Sequence, residues 1–326
     1  MADLSTDLGA ELQSALGSGY TIQRELGGGG MSRVFVAHDH ALDRSVVIKA
    51  VLPELASGVS AQRFAAEVHA AATLQHPHIV PVLSAGHTAR EIPYYMMPYI
   101  RGETLRARLE RGRIPFVEAV QFVGDVAKAL SAAHEADVVH RDIKPDNILL
   151  SGGATVVTDF GIARAIHEAR KGAADAEADA EPDARLTSMG TSLGTPAYMA
   201  PEQAAGGAID ARTDVYSWGV IVYETIVGYH PFSATTAQKF IVAHLTTAQK
   251  FIVAHLTERP VPLSHRATDT PGWFCHLVTS CMEKDPERRP ADGAALVHAV
   301  EYGARGGLSL TASCTAAMRK LFGGSA

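Results

Sequence analysis

The sequence predicts an α+β chain in which a small antiparallel sheet unit precedes a larger helical one. Between residues 20 and 51, three short β-rich runs surround a glycine cluster: Tyr20-Thr21-Ile22, Val34-Phe35-Val36 and Val46-Val47-Ile48. After Met97 the pattern turns helical and stays so to about Val300. The 326 residues suit two compact units or one large two-lobed domain.

Residues 1–19 are polar and small and read as a leader folding over the sheet. Residues 63–74 have helical spacing, and Pro77 separates them from the next apolar run. Two apolar strands are expected at 79–83 and 94–97. Helices are expected at 104–110 and at 115–134, where Val120, Val123, Ala127 and Leu130 share a face. Residues 214–227 are apolar on all sides, the mark of a buried central helix. Residues 301–326 are rich in Gly, Ala and Ser and should add little core.

Two segments break this plan. Residues 168–184, rich in Ala, Asp and Glu, bury too little apolar surface to offset chain entropy; a disordered insert, dispensable for folding, is expected. Residues 236–246 recur residue for residue as Thr247–Thr257. Two copies do not make a solenoid. No Gly or Pro interrupts the repeat, so one extended helix is favoured over a bulged copy, with Phe251 exposed as an interaction site.

A hydrophobic content of 47% supports sizeable cores. The net charge of −6 argues against nucleic acid as a partner. Five of the acids form one run without an intervening base: Asp175, Glu177, Asp179, Glu181 and Asp183. The longest apolar stretch, 215–227, is broken by Ser217 and Glu224, so no membrane span is expected. The first residues carry neither a basic region nor an apolar core, which points to a cytoplasmic protein. Cys275, Cys281 and Cys314 lack metal-type spacing and read as reduced thiols.

The chemistry concentrates in His140-Arg141-Asp142-Ile143-Lys144-Pro145-Asp146-Asn147. A carboxylate, a cation and an amide at these short offsets are what phosphoryl transfer needs: a group for the hydroxyl proton, a charge for the moving phosphate and an oxygen for a metal. Asp159-Phe160-Gly161 comes next as a second metal-binding candidate. Upstream, Gly27-Gly28-Gly29-Gly30-Met31-Ser32-Arg33-Val34 lies between two strand-like runs; glycines there let backbone N–H groups approach phosphate oxygens, although a flexible hairpin is an equal reading. Lys49 ends an apolar strand, and Glu67 lies in the expected helix at 63–74.

From about Tyr20 to about Val300 the chain resembles the eukaryotic-like (Hanks-type) serine/threonine protein kinases of bacteria. The resemblance implies a two-lobed kinase domain over 20–300, with an N-lobe at 20–97 and a C-lobe at 98–300. It implies ATP and Mg²⁺, with Mn²⁺ as an alternative metal, and protein substrates carrying Ser or Thr. It also implies self-association for autophosphorylation.

The resemblance assigns roles residue by residue. Asp142 would orient the hydroxyl or take its proton, and Lys144 would neutralise the γ-phosphate; a lysine two residues after the aspartate is the serine/threonine-type arrangement. Asn147 and Asp159 would hold the metal. Lys49, bridged to Glu67, would hold the α- and β-phosphates. Gly27, Gly29, Gly30 and Ser32 would cradle phosphates, with Ser32 where the family has a third glycine. Val34 and Val47 would pack on adenine, with Val47 in place of the usual alanine. Met97 would be the gatekeeper. Pro98 and Ile100 would form the hinge, Ile100 supplying an N–H. Glu103 or Thr104 would reach the ribose.

Residues 194–202, Gly194-Thr195-Pro196-Ala197-Tyr198-Met199-Ala200-Pro201-Glu202, resemble the shelf that receives a substrate peptide, with Thr195 touching Asp142 and Lys144. Glu202 would pair with Arg289, and Asp214 would bond the backbone of the catalytic loop. Arg141 would bind a phosphate on the activation loop, with Thr187 first and Ser188 and Thr191 after it as acceptors. Three rivals make different predictions. A pseudokinase scaffold would lack one of Lys49, Glu67, Asp142, Asn147 or Asp159, and all are present. A small-molecule phosphotransferase would lack the 194–202 segment. A non-enzymatic binding module has only the repeat in its favour.

Overall fold

The computed structural model describes residues 4–29, 32–56, 60–160, 196–232 and 247–306. Gly30, the 168–184 insert, Thr187, Ser188, Thr191, Thr195, the first repeat copy and Cys314 lie outside the described residues. The chain is α+β, divided into two compact units. The first holds Met1–Gln75 and Val80–Arg101; the second holds His76–Ile79, Gly102–Phe160 and the described residues from 196 on.

The first unit is built on a five-stranded sheet. Its strands are β1 (Tyr20–Gly29), β2 (Ser32–Asp39), β3 (Arg44–Val51), β4 (Ser84–His87) and β5 (Pro93–Pro98), ordered β1-β2-β3-β5-β4, every pair antiparallel. The β1–β2 hairpin closes tightly: a Cβ on Gly28 would sit 2.5 Å from the carbonyl oxygen of Ser32, so only glycine fits there. On one face Val46, Ile48 and Ala50 of β3 join Phe35, Ala37, Ile92 and Met96 in a core that also takes Leu8 and Leu12.

Those two leucines show how the described part of residues 1–19 packs on the sheet. The segment Leu4–Leu16 is a helix, α1, and Leu8 and Leu12 are fully buried in the sheet core. Leu4, Leu8, Leu12 and Leu16 recur every four residues, the stripe that a one-sided helix requires. Gln13 ties α1 down: its Oε1 accepts from the Ile22 N–H at 2.9 Å and its Nε2 donates to the Tyr20 carbonyl at 2.9 Å. A short turn of helix, α2 (Pro53–Ala56), leads to α3 (Ala61–Ala72), capped by the Ser60 hydroxyl, which accepts from the Arg63 N–H. Phe64 and Val68 of α3 pack on Val51 and Tyr95.

The strand expected at 79–83 does not form. Pro81 sits mid-run and has no N–H to give a ladder, and the edge strand begins at Ser84 instead. Ile79 makes only an isolated bridge to Val157, within the second unit.

The second unit holds a small sheet of β6 (Glu103–Thr104), β7 (Ile148–Ser151) and β8 (Ala154–Val157), with helices making up the rest. The helices are α4 (Leu105–Leu109), α5 (Phe116–Glu135), α6 (Pro201–Ala205), α7 (Ala211–Val227), α8 (Thr247–Thr257), α9 (Leu263–Arg266), α10 (Gly272–Cys281) and α11 (Gly293–Gly306). α7 is the central helix. Asp210 caps its start, accepting from the Arg212 N–H, and Gly228 ends it in the left-handed conformation at φ 90°. The Trp218 indole N–H donates to the Val123 carbonyl of α5 at 3.0 Å. Gly219 permits the close pass of α10: a Cβ there would be 2.7 Å from the Cβ of Cys281. Residues 301–306 continue α11 rather than starting a tail.

α8 is the second repeat copy, with Gln249, Ile252, Ala254 and His255 buried. Residues 236–246, the first part of the extended helix expected there, lie outside the described residues. Phe251 is not the free surface ring expected: it is half-buried, 5.0 Å from the His230 ring. Deleting 236–246 or Thr247–Thr257 yields the same polypeptide, because the copies are identical. That variant should melt within a few degrees of wild type or above it, since one copy remains to fill the buried seat. Calorimetry checks this; an unfolded product would show that both copies belong to the core.

Candidate active site

In the first unit, strand register brings the nucleotide-binding candidates together. Lys49 stands opposite Val34 of β2 and Tyr95 of β5, and Val47 stands opposite Val36 and Met97. Side chains two apart on a strand share a face, so Val34, Val47, Lys49 and Met97 lie on one side of the sheet. That is the side on which Tyr95, Val51 and Met97 pack with α3, the helix that carries Glu67. Lys49 and Glu67 both have interaction partners within the fold. Ser32 is buried and opens β2, opposite Gly29. Gly27 adopts φ 111°, a conformation that side-chain-bearing residues rarely take. Pro98 ends β5, opposite Val46, and Ile100 lies just beyond it, half-buried.

In the second unit the catalytic-loop candidates converge on one carboxylate. Lys144 Nζ donates to Asp142 Oδ2 at 2.7 Å. Asn147 Nδ2 donates to the Asp142 carbonyl at 2.9 Å and to Oδ2 at 3.3 Å. Burial works against the Lys144 cation, but the charge and hydrogen bond of Asp142 outweigh it and raise its pKa. The 3₁₀ turn Pro145–Asn147 leads into β7, and the Thr158 N–H donates to the Asn147 carbonyl at 3.0 Å, so Asp159 follows directly on the residue bonded to Asn147.

The loop is held from beneath by Asp214 of α7. Its carboxylate accepts from the His140 N–H at 2.7 Å, the Arg141 N–H at 2.8 Å and His134 Nε2 at 2.9 Å. Burial opposes charge at Asp214, yet the His134 bond, the neighbouring imidazoles and the Arg141 N–H keep its pKa below the usual carboxylate value. Arg141 and Asp159 both have positive φ, 69° and 70°, a strained backbone that these bonds stabilise at Arg141. Gln203 of α6 adds a tie, donating to the Arg141 carbonyl at 2.8 Å. His140 is fully buried, donating from Nε2 to the Thr158 carbonyl at 2.9 Å, with its ring 4.6 Å from that of Phe160.

Glu202 and Arg289 form a buried pair at 2.7 and 2.9 Å. The remaining three N–H groups of Arg289 go to the carbonyls of Glu283, Arg212 and Lys284, so all five donors are used. Glu103 carries a bidentate Arg111 at 2.6 Å, and the Thr104 hydroxyl caps α4, accepting from the Ala107 N–H. Both ribose candidates therefore already have partners of their own.

Three groups carry no local sequence signal: His134, Gln203, and the cluster in which Arg106 donates to Glu224 at 2.9 Å and to the Tyr198 hydroxyl, which in turn donates to Glu224. Each joins residues far apart in sequence. The metal candidates suit a hard divalent cation. Asn147 spends its amide N–H₂ on Asp142, which turns its oxygen outward as a donor, and Asp159 supplies a carboxylate; one or two such oxygens complete a coordination shell with phosphates and water. Among the described residues no cluster of three or more His, Cys, Asp or Glu could hold a metal. No described helix is long and apolar enough to cross a membrane.

A family model described as protein kinase domain matches residues 20–300. The chain is 36% identical over 282 residues to the serine/threonine-protein kinase PknB of Mycobacterium tuberculosis, covering 85% of this chain and 41% of that protein. It is 35% identical over 277 residues to the probable serine/threonine-protein kinase CPE1738 of Clostridium perfringens, covering 84% and 36%. The chain thus spans less than half the length of either relative. The crystal structure of the Mycobacterium tuberculosis PknI kinase domain superposes with a TM-score of 0.63 at 23% identity, covering 87% of this chain and 96% of that one, a likeness of fold.

Proposed function

From the premise that this chain belongs to the protein kinase domain family, whose members use ATP and a divalent metal on protein substrates, we propose that it transfers the γ-phosphoryl group of MgATP to serine and threonine hydroxyls of proteins. The observation that carries the reading is the convergence of Lys144 Nζ and Asn147 Nδ2 on the Asp142 carboxylate. Asp142 orients the acceptor hydroxyl and takes its proton. Lys144, kept cationic by Asp142, neutralises charge on the phosphoryl oxygens. Asn147 and Asp159 would hold Mg²⁺, which supplies charge neutralisation between the phosphates when bound. Lys49, with Glu67 as its partner, holds the α- and β-phosphates. Gly27, Gly29, Gly30 and Ser32 cover the phosphates; Val34, Val47 and Met97 enclose the adenine; the Pro98 carbonyl and the Ile100 N–H read its edge. Thr195 braces Asp142 and Lys144. The test is incubation with labelled MgATP and phosphosite mapping, beside Asp142→Asn as control. ATP hydrolysis without labelled protein would favour a small-molecule phosphotransferase.

Activation-loop phosphorylation is part of the same reading. Arg141, held by Asp214 and Gln203, is the cation that would receive the phosphate. Phosphate brings nearly two negative charges, and a charge-assisted hydrogen bond is worth about 1.5–3 kcal/mol. The triple variant Thr187→Ala, Ser188→Ala, Thr191→Ala should therefore lose about tenfold or more in kcat/KM, measured on purified protein after mapping its phosphosites. Full activity of the triple variant would refute the regulation.

A further inference from the structure

The turn Pro196–Tyr198 opens the described part, residues 196–202, of the segment read as the peptide shelf. Its Ala197 carbonyl is buried and is met by two imidazoles, His230 Nε2 at 2.5 Å and His255 Nε2 at 2.8 Å. The tautomer is fixed at His255: its Nδ1 accepts from the Tyr216 hydroxyl at 2.9 Å, so its Nε2 carries the hydrogen and donates it to Ala197. His230 Nδ1 lies 2.9 Å from the Phe232 carbonyl and 3.2 Å from the Phe232 N–H. Lys284 completes the chain, donating to the Tyr216 hydroxyl at 3.2 Å while its ammonium lies 4.5 Å over the Phe232 ring. Burial drives the pKa of His255 down to about 3, so the ring is a neutral donor at working pH.

This network joins the repeat to the substrate-side turn. His255 belongs to the second copy, is fully buried, and sits 58 residues from the carbonyl it holds. We propose that His255 is a positioning residue for the polypeptide substrate: with His230 it fixes the Ala197 carbonyl and thereby keeps the Pro196–Tyr198 turn in the form that receives the peptide around the phosphoacceptor. The proposal rests on the protein kinase reading. A buried histidine serving only the core would need a polar partner, yet it would not need to share a carbonyl of the shelf with a second histidine.

The test compares His255→Gln, whose amide nitrogen reaches the place of Nε2, with His255→Asn, which falls short of it. His244→Asn, the identical position in the first copy, is the control, and the double His244→Asn, His255→Asn completes the set. Full-length proteins phosphorylate a degenerate peptide library centred on Ser or Thr, with MgATP. His255→Asn should raise KM for peptide about tenfold, the loss of one hydrogen bond to a buried group, with kcat and KM for ATP within about twofold. His255→Gln should restore most of it and His244→Asn should match wild type. Hydrogen exchange of the amides of residues 198–200 should quicken in His255→Asn and not in His255→Gln, a readout that needs no turnover.

Unchanged peptide KM and exchange in both His255→Asn and the double variant would overturn the proposal. A loss seen only in the double variant would overturn the assignment to the second copy. Equal falls in kcat with Asn and Gln, with KM constant, would reduce His255 to a core residue. Should wild type label no peptide, the kinase reading fails, and quickened exchange would then leave His255 as a brace of the turn without a substrate role.

Discussion

Asp142→Asn should leave the fold in place and lower kcat by about 10²–10⁴-fold, the range that a positioned general base contributes. Asparagine keeps the size of the side chain, and the Asn147 bond to the backbone carbonyl of residue 142 survives. What goes is the acceptor for the hydroxyl proton and the hydrogen-bonded counter-charge of Lys144, one of the carboxylates that raise its pKa against the opposing effect of burial. Lys49→Met and Asp159→Asn should show comparable losses by removing a phosphate contact and a metal ligand. Nucleotide titration and melting curves separate these from unfolding: Asp142→Asn should bind ATP near wild-type affinity and melt within several degrees of it. Wild-type turnover in Asp142→Asn would end the assignment.

Arg289→Met should cost about 3–5 kcal/mol, the penalty for stranding one partner of a buried pair. Arg289 is fully buried, its guanidinium lies 4.8 Å from the centre of the Tyr216 ring, and its loss leaves the Glu202 carboxylate and three carbonyls without their donors. Thr213 remains as a donor to Glu202 at 2.9 Å, which is too little for a buried charge. Glu202→Gln should lose a similar amount by leaving the guanidinium uncompensated. The double variant should be more stable than the sum of the two losses, because the stranded charge is then gone. Urea denaturation measures all three. A loss below about 1 kcal/mol in Arg289→Met would mean the pair is idle.

Local signals in the sequence carried the strands at Val34-Phe35-Val36 and Val46-Val47-Ile48, the central helix and the candidate loop at 140–147. Each depends on neighbours along the chain, whether period, cap or fixed offset. The strand placed at 79–83 failed because apolar content outweighed the missing N–H of Pro81. The helix α1 was missed because Ser, Thr, Gly and Asp set the tone of residues 1–19 while Leu8, Leu12 and Leu16 set the packing. Glu202 and Arg289 lie 87 residues apart, and only the family resemblance, not spacing, suggested their pairing. His255 and Ala197 had no such guide, since a histidine inside a repeat looks the same in both copies.

That identity bears on how the molecule is made. A ribosome adds about 5–20 residues per second, so residues 236–246 emerge roughly a second before Thr247–Thr257. The Ala197 turn and α7 are already complete by then. Order of emergence favours the earlier copy for the groove, yet the later copy is the one seated there, with His255 on Ala197. Chain synthesised later still closes over the seated copy: the Tyr223 hydroxyl donates to the Val261 carbonyl at 2.9 Å, just past the second copy, and Lys284, from beyond α10, engages Tyr216 and the Ala254 carbonyl. For a chain with two indistinguishable stretches, the seat of one of them is thus marked by neighbours that lie outside both: Tyr216, Val261 and Lys284.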